Sequence, residues 1–264
     1  MENEWNELVE DCADRCLFLR HEWLYPWAFH FCPRALLIIC AYEGSRLVGI
    51  APLFRQEESL GFIGMPDSDY QNLILRTGHE KKALEAIFRH AAERHPDAIL
   101  DLREVPEGCA LDQFAPGLSG FYVFRHHQNT TFSIRLGNGF SELPIEKRLK
   151  RSLAGGEKKL ASQGKTLGYR RTGLHDNLYA DLESFFSLHL SRIRDASNVS
   201  PAEKKRYREF HHDAAGRLLH QGFLNLEFSL IDGKAAASTY GFCYDRRVYM
   251  YLTGLDPAFY AYSI

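Results

Sequence analysis

A repeated pattern of strands and turns constrains the fold of this chain more than any other feature. The segment YEGSRLVGIAPLF (residues 42–54) aligns with IDGKAAASTYGFC (residues 231–243) when Gly44 is placed over Gly233. Each segment is an acid-glycine turn between two apolar strands, which predicts a β-hairpin. At nearly the same offset, FIGMPDSDYQNLI aligns with LTGLDPAFYAYSI, with Gly64 over Gly254. The shared order, turn residues and spacing indicate a duplication.

The duplication predicts two similar halves. The chain has 264 residues, which is enough for two modest domains. Its character changes after Gly137-Asn138-Gly139, so we place a boundary near residues 136–142. We therefore predict an α/β (α+β) fold with an N-terminal half at residues 1–138 and a C-terminal half at residues 139–264. Each half is expected to be a mixed, mostly antiparallel sheet flanked by helices.

Hydrophobic periodicity predicts where the helices and strands lie. The helical patterns cover residues 4–32 with a break at 16–20, 79–94, a basic stretch at 141–171, 176–194 and 200–222. The predicted strands are the two hairpin arms, LGFIG, NLIL, AILDLREV, FYVFRHHQNTTFSIRL as one or two strands, and three strands after residue 222.

The composition excludes several classes of protein. A formal net charge of -2 and a pI near 6.6 do not suit a chain that binds nucleic acid or membranes over its whole surface. No apolar run approaches the roughly 20 residues that a membrane span needs. The acidic start MENEWNELVEDC does not resemble a signal peptide, so we expect a cytoplasmic protein.

No metal site is predicted. The six cysteines lack the paired CxxC spacing of zinc sites. The two adjacent histidine pairs, His126-His127 and His211-His212, have side chains that diverge on a helix or a strand. We therefore expect packing or solvated residues at these positions.

A basic segment begins near Lys147. Between Lys147 and Arg171 lysines and arginines are frequent, and Glu157 is the single acid. One interpretation is a solvated helix face, which is what charge runs usually form. Another is an anion site for CoA phosphates, a polyanionic acceptor or a tRNA-borne donor. The candidate residues of this site are Arg148, Arg151, Lys158 and Lys159.

Four stretches carry a resemblance to a known family. They are HEWLYPWAFHF, CAYEGSRLVGIAPLF, RLKRSLAGGEKKLASQG and DGKAAASTYGFCYDRRVYMYLTGLDPAFYAYSI. In these stretches the chain resembles the BioF2-like acetyltransferases, a branch of the GNAT superfamily that includes CelD-like proteins assigned to cellulose and exopolysaccharide biosynthesis. That family is related to the FemAB peptidoglycan aminoacyltransferases. The resemblance covers most of the chain and is strongest after Leu226, and it implies tandem GNAT-like halves.

The resemblance implies transfer of an acyl group from acetyl-CoA or another acyl-CoA to an amine or hydroxyl, here of a sugar or glycan precursor. In GNAT folds the strand after the hairpin splays at a bulge, where backbone groups hold the pantetheine arm and polarise the thioester carbonyl. The corresponding strand here is Val248 to Gly254. The expected cofactor-binding residues are Met250, Leu252, Thr253 and Gly254, with Arg148 and Arg151. The expected catalytic residues are Tyr251, Asp256 and Glu227, and the expected substrate-binding residues are Tyr240, Lys158 and Lys159, with no metal.

The resemblance also bears on the end of the sequence. At the cofactor loop the family has YSPG-like residues, whereas this sequence ends with Tyr262-Ser263-Ile264. The counterpart of the helix at residues 79–94 and of its following strand would come later, so we expect a truncated second half. Two alternatives stay open: an aminoacyl-tRNA-dependent transferase like FemAB that modifies peptidoglycan, and a non-catalytic GNAT-like subunit of a polysaccharide assembly.

Overall fold

The computed structural model describes residues 1–32, 34–136, 146–192 and 201–262, without the side chains of residues 201 and 202. The α-helices in these ranges are α1 (Glu2–Glu10), α2 (His21–Phe31), α3 (Glu80–Arg94), α4 (Ala110–Phe114), α5 (Lys147–Ser162), α6 (Leu178–Arg192) and α7 (Pro201–His220). The strands are β1 (Leu36–Glu43), β2 (Arg46–Gln56), β3 (Ser59–Phe62), β4 (Ile74–Leu75), β5 (Ile99–Leu100), β6 (Leu167–Arg171), β7 (Leu224–Ile231), β8 (Lys234–Tyr244) and β9 (Arg247–Leu255). Short 3₁₀ segments lie at Leu17–Leu19, Ala115–Gly117 and Pro257–Tyr262.

The chain divides into two compact units. Unit 1 consists of Met1–Asn129 with Lys205–Arg217, and unit 2 consists of Thr130–Lys204 with Leu218–Ile264. Each unit contains one sheet flanked by helices, which confirms the predicted mixed α/β fold class. The predicted boundary near residues 136–142 falls mostly outside the described residues, so the division at residues 138 and 139 stays a prediction.

The sheet of unit 1 is mixed. Its described strands run in the order β1-β2-β3-β5, and β4 pairs with β2. All pairs are antiparallel except β3 with β5, which is parallel. Helix α3 packs on this sheet with the residues that its periodicity predicts. Leu84, Ile87, Phe88 and Ala91 are all buried.

The sheet of unit 2 is antiparallel in its described part, with the order β6-β7-β8-β9. Helix α6 packs on one face of this sheet. Its Phe185 ring lies 5.3 Å from the ring of Tyr240 on β8, and both side chains are fully buried. Because β9 ends the described order, it is the edge strand of this part of the sheet.

The backbone pairing supports the duplication and corrects its alignment. In the β1-β2 hairpin Glu43 pairs with Arg46, and in the β7-β8 hairpin Ile231 pairs with Lys234, so both turns have two central residues. This pairing places Gly44 over Asp232 instead of Gly233. The sequence did not distinguish the two alignments, because a glycine suits either central position of such a turn.

The same offset of 188 residues continues through both units. The β1-β2 and β7-β8 hairpins each contain a bulge, two residue pairs away from the turn. The extra residue of the bulge is Val48 in β2 and Ala236 in β8. The second hairpins also match, since Gln56 pairs with Ser59 and Tyr244 pairs with Arg247. Strands β2 and β8 therefore correspond along their whole length.

Two expectations about local structure are wrong. Residues 121–136 form no strand, and Tyr122, Phe124 and Phe132 are 95%, 92% and 93% exposed. High β-propensity does not produce a strand where no neighbouring strand pairs with the segment. The second error is the omission of β6, since Leu167–Arg171 lie inside the stretch predicted as one basic helix but pair with β7.

Gly254 provides a test of the packing between β9 and α6. A Cβ atom at Gly254 would lie 2.7 Å from the backbone nitrogen of His189 and 2.7 Å from the Cβ of Leu188. We expect Gly254→Ala to push α6 away from β9 and to lower the free energy of unfolding by about 1–3 kcal/mol. All three tryptophans lie in unit 1, so calorimetry is a better readout for unit 2 than tryptophan fluorescence.

The matched control is Gly168→Ala on β6. The nearest atom to a Cβ there is the Leu230 Cβ at 3.9 Å, an ordinary van der Waals contact. We expect the free energy of unfolding of this variant to lie within about 0.5 kcal/mol of that of the wild type. Equal unfolding temperatures for the two variants would contradict the close approach of α6 to β9.

Candidate functional site

A β-bulge interrupts strand β9 at Tyr251. Tyr240 pairs with Leu252 and the next residue, Gly241, pairs with Met250, so Tyr251 is the extra residue of the bulge. A bulge bends its strand and ends regular pairing, and bulges are frequent beside active sites. The bulge lies within Val248 to Gly254, the strand on which the resemblance expects one.

The Tyr251 side chain lies on the face of the sheet that α6 covers. Its ring centroid is 5.8 Å from that of Tyr240 and 5.6 Å from that of Phe242. Tyr251 is half-buried, whereas Tyr240 is fully buried in the core of unit 2. The position of Tyr240 is that of a core residue, and its role in substrate binding stays a prediction.

The last turns of α6 bond to β9 just after the bulge. The His189 Nδ1 lies 2.8 Å from the Thr253 carbonyl oxygen, and the Ser191 hydroxyl donates to the Leu255 carbonyl at 3.2 Å. The Arg192 guanidinium donates to the Thr253 hydroxyl. These three side chains occupy acceptors on β9 that no strand occupies in the described part of the chain. The predicted cofactor residues Thr253 and Gly254 are therefore in direct contact with α6.

Sequence reasoning missed the contribution of α6. The helical pattern of residues 176–194 predicted this helix, but no functional role was assigned to His189. The signal that points to it is its spacing. His189 and Arg192 are three residues apart, so they lie on one side of a helix. A histidine and an arginine together at the end of an apolar face are polar groups that need partners.

The start of α6 is held by a partly buried ion pair. Arg170 on β6 makes a bidentate pair with Asp181, with N···O distances of 2.8 and 2.6 Å. The Thr172 hydroxyl donates to the same carboxylate at 2.7 Å. Burial alone would raise the pKa of Asp181, but the hydrogen bonds from Arg170 and Thr172 outweigh it and hold that pKa below its ordinary value.

The basic helix α5 contacts the segment that follows β9. A Cβ at Gly156 would overlap the backbone carbonyl of Tyr262, so α5 and the 3₁₀ segment Pro257–Tyr262 touch at this glycine. The Lys159 ammonium lies 5.3 Å from the centroid of the Tyr262 ring, and the Tyr262 hydroxyl donates to Gln163 at 2.6 Å. Helix α5 therefore places its positive charge beside the continuation of β9.

The four predicted basic residues are exposed on α5. Arg148, Arg151 and Lys158 follow helical spacing along one stripe, with Gly155 between them. A Cβ at Gly155 would meet nothing within 4 Å, so the stripe faces open space. Lys159 lies beside this stripe, towards Tyr262. The geometry suits an extended anion, and the roles of these residues stay predictions.

The two predicted catalytic carboxylates are Asp256 and Glu227. Asp256 accepts a hydrogen bond from the backbone of Ala258 at 2.9 Å, which is the position of a turn-forming residue at the start of the 3₁₀ segment. Glu227 is exposed and pairs across the sheet with Thr239. Because successive strand residues point to opposite faces, Glu227 lies on the face opposite Tyr240 and Tyr251. The structure does not bring Glu227 and Tyr251 together.

The equivalent position in unit 1 is filled by a loop of its own. By the offset of 188 residues Ile63 corresponds to Tyr251, and the chain there leaves the sheet at Gly64, whose φ is +102°. The Ser68 hydroxyl accepts from Trp23 at 2.7 Å, and Asp67 accepts from Trp27 at 2.8 Å. The loop backbone also pairs with the chain beyond β5, since the Gln71 N–H donates to the Glu104 carbonyl.

Unit 1 contains a cavity of about 320 Å³ against β1 and α3. It is lined by Ile38, Ile39, Cys40, Ala41, Tyr42, Ala86, Ile87 and His90, and none of the predicted site residues is among them.

Among the described residues no group of three or more His, Cys, Asp or Glu is placed to hold a metal ion. No helix in the described ranges is long and apolar enough to cross a membrane.

Comparison with known proteins supports the class that the bulged strand suggests. Residues 147–264 match the family model described as "Acetyltransferase (GNAT) domain". This match covers α5, the whole sheet of unit 2 and the bulge at Tyr251. It supports an acyltransferase and supports the GNAT-like character of the second half. No curated protein matches the chain.

A solved structure supports the fold of both units. The chain is similar to the protein in "Crystal structure of FemX", with a TM-score of 0.51 and 14% sequence identity. The similarity covers 87% of this chain and 56% of the FemX chain, so this chain spans little more than half of that protein's length. At this identity the likeness concerns the fold alone. Together with the family model it is consistent with the predicted tandem GNAT-like halves.

The pair of Arg170 and Asp181 gives a test of how α6 is held. A carboxylate whose pKa is lowered on folding adds stability at pH values above its unfolded pKa, and this stability is lost as the pH falls through the folded pKa. We expect Asp181→Asn to lower the free energy of unfolding by about 1.5–3 kcal/mol near neutral pH. The deficit relative to the wild type should shrink as the pH falls below the ordinary pKa of an aspartate.

Urea unfolding followed by circular dichroism from about pH 7 to about pH 3 measures this effect. Glu157→Gln on the exposed side of α5 is the matched control, since it removes one carboxylate from an exposed position. That control should differ little from the wild type. An Asp181→Asn deficit that stays constant over the whole pH range would contradict the role of the ion pair.

Proposed function

We propose that this protein is an acyltransferase that moves an acetyl or other acyl group from acyl-CoA to an amine or hydroxyl of a sugar or glycan precursor. The observation that carries the proposal is the bulge at Tyr251, which lies in the segment that matches the acetyltransferase model. A strand that leaves its neighbour at a bulge exposes backbone donors and acceptors, and the pantetheine arm of CoA carries two amides that need such partners.

Unit 2 is the proposed site of transfer. In unit 1 the corresponding position is filled by the loop around Ser68, which is 1% exposed and bonded to Trp23. In unit 2 the corresponding residue is the half-buried Tyr251 at the bulge of β9. The roles proposed for β9 are contacts of Met250, Leu252, Thr253 and Gly254 with the cofactor, and Tyr251 as a donor to the thioester carbonyl or to the leaving thiolate.

The basic stripe of α5 is the proposed contact for the phosphates of CoA or for an anionic acceptor. Arg148, Arg151 and Lys158 form this stripe, and Lys159 flanks it towards Tyr262. Guanidinium groups suit phosphate because they donate in a planar fork. A sugar or glycan precursor that carries a phosphate would suit the same stripe. We place this activity in cell-envelope or exopolysaccharide biosynthesis, in the cytoplasm.

The second candidate is a FemAB-like transferase that takes its acyl group from aminoacyl-tRNA. The similarity in fold to FemX over 87% of this chain favours it. A non-catalytic GNAT-like subunit is the third possibility. These candidates differ in the ligand that each must bind.

Thermal unfolding with and without donor ligands distinguishes them. We expect the unfolding temperature to rise with the concentration of acetyl-CoA, because a ligand that binds only the folded state stabilises it by about 2.7 kcal/mol at a hundredfold excess over its Kd. A rise with aminoacyl-tRNA and none with acetyl-CoA would favour the second candidate. No rise with either ligand would favour the non-catalytic subunit.

The double variant Arg148→Ala and Arg151→Ala tests the proposed anion site. Loss of two charge-assisted contacts should raise the KM for acetyl-CoA roughly tenfold or more. The control is Lys81→Ala with Arg89→Ala on α3, which removes the same charge from exposed positions of unit 1. An unchanged KM for acetyl-CoA in the α5 variant would show that Arg148 and Arg151 do not contact the CoA phosphates.

A further inference from the structure

The tautomer of His189 is set by the atom that its ring contacts. A carbonyl oxygen accepts hydrogen bonds and donates none, so the 2.8 Å contact between His189 Nδ1 and the Thr253 carbonyl requires a proton on Nδ1. A neutral imidazole with a proton on Nδ1 has a lone pair on Nε2. His189 therefore presents a proton acceptor whose orientation is fixed by the backbone of β9.

The packing of the ring fixes its plane as well. The imidazole stacks on Phe185 with a centroid distance of 5.6 Å and an interplanar angle of 23°. Phe185 in turn lies against Tyr240, whose ring contacts Tyr251 at the bulge. His189 is half-buried, so its ring is held by the core and is still reachable from solvent. The contacts join His189 to the bulge through two rings.

The backbone that holds His189 is itself fixed. Thr253 is two residues after the bulge, and its hydroxyl accepts from Arg192 one turn further along α6. Gly254 lies directly against His189, since a Cβ there would come within 2.7 Å of the His189 nitrogen. The imidazole is therefore locked to the strand that the proposed function assigns to the thioester.

We propose that His189 is the general base for the acyl transfer, an assignment that rests on the proposed function. In this step His189 Nε2 takes the proton from the acceptor N–H or O–H while the acceptor atom forms its bond to the thioester carbonyl carbon. The C–S bond then breaks, and the same proton passes from Nε2 to the leaving CoA thiolate. The products are the acylated acceptor and free CoA thiol, and the imidazole returns to its neutral form.

The general base is therefore His189 and not one of the predicted catalytic carboxylates, Glu227 and Asp256. Glu227 lies on the opposite face of the sheet from Tyr251, and Asp256 holds the start of a 3₁₀ segment. A histidine is also the side chain most often used for proton transfer near neutral pH. In many enzymes a third group hydrogen-bonds the catalytic base and fixes its orientation. Here the Thr253 carbonyl fixes the orientation of His189 by accepting the hydrogen bond from Nδ1–H.

Three variants separate a catalytic role of His189 from a structural one. In His189→Asn the amide N–H replaces the Nδ1–H donor to Thr253 while the base is lost. In His189→Ala both are lost, and added imidazole can return the base. The control His175→Asn changes an exposed histidine in the same unit. Circular dichroism and thermal unfolding verify that each variant folds.

The probes are acetyl-CoA as donor and D-glucosamine as acceptor, with release of the CoA thiol as the readout. We expect His189→Asn to keep the stabilisation by acetyl-CoA and to lose about 10²–10⁴-fold in kcat. Imidazole should restore part of the activity of His189→Ala and leave the wild type and His175→Asn unchanged. A merely structural role would give no rescue by imidazole.

Two results would overturn the assignment. One is a kcat of His189→Asn equal to that of the wild type, in an assay in which the wild type releases CoA. The other is a nitrogen NMR spectrum of ¹⁵N-histidine protein, assigned with His189→Asn, that places the His189 proton on Nε2 instead of Nδ1. A wild type that neither binds acetyl-CoA nor releases thiol refutes the proposed function itself, and this outcome is distinct from the other two.

Discussion

The structure depends on the two-residue turns that set the register of its hairpins. A slip of one residue would move every side chain of a strand to the other face of its sheet. With Ile231 paired to Lys234, the side chains of Ala236, Tyr240 and Phe242 all lie in the core of unit 2. The next turn pairs Tyr244 with Arg247 and brings β9 alongside β8 up to the bulge. Because the turns of unit 1 have the same lengths, both sheets inherit one register from the duplication.

The two units differ after the second hairpin, at the ends of the corresponding strands β3 and β9. In unit 1 the chain turns inward at Gly64, and its loop bonds to Trp23, Trp27 and the backbone beyond β5. In unit 2 the strand continues past Tyr251, and α6 bonds to it through His189. One half therefore uses this position for packing, and the other carries a bulge with polar side chains of α6 bonded beside it. This difference supports the proposal that unit 2 is the site of transfer.

The sequence predicted those features that local patterns determine. Turn residues and alternating apolar residues located both hairpins, and helical periodicity located α3 and its buried face. It did not predict features that depend on distant partners. Residues 121–136 have the composition of strands and form none, while β6 exists because β7 lies beside it. The contact of His189 with Thr253 joins residues 64 positions apart, and nothing in the local sequence of α6 specifies it.

The proposed function places acyl-CoA along β9 of unit 2 and not at the corresponding position of unit 1. Hydrogen-deuterium exchange followed by mass spectrometry, with and without acetyl-CoA, tests it most directly, because amides that bond to the ligand exchange more slowly. We expect peptides that cover Arg247–Leu255 to gain protection and peptides that cover residues 61–72 to stay unchanged. Protection of residues 61–72 with no change along β9 would contradict the account.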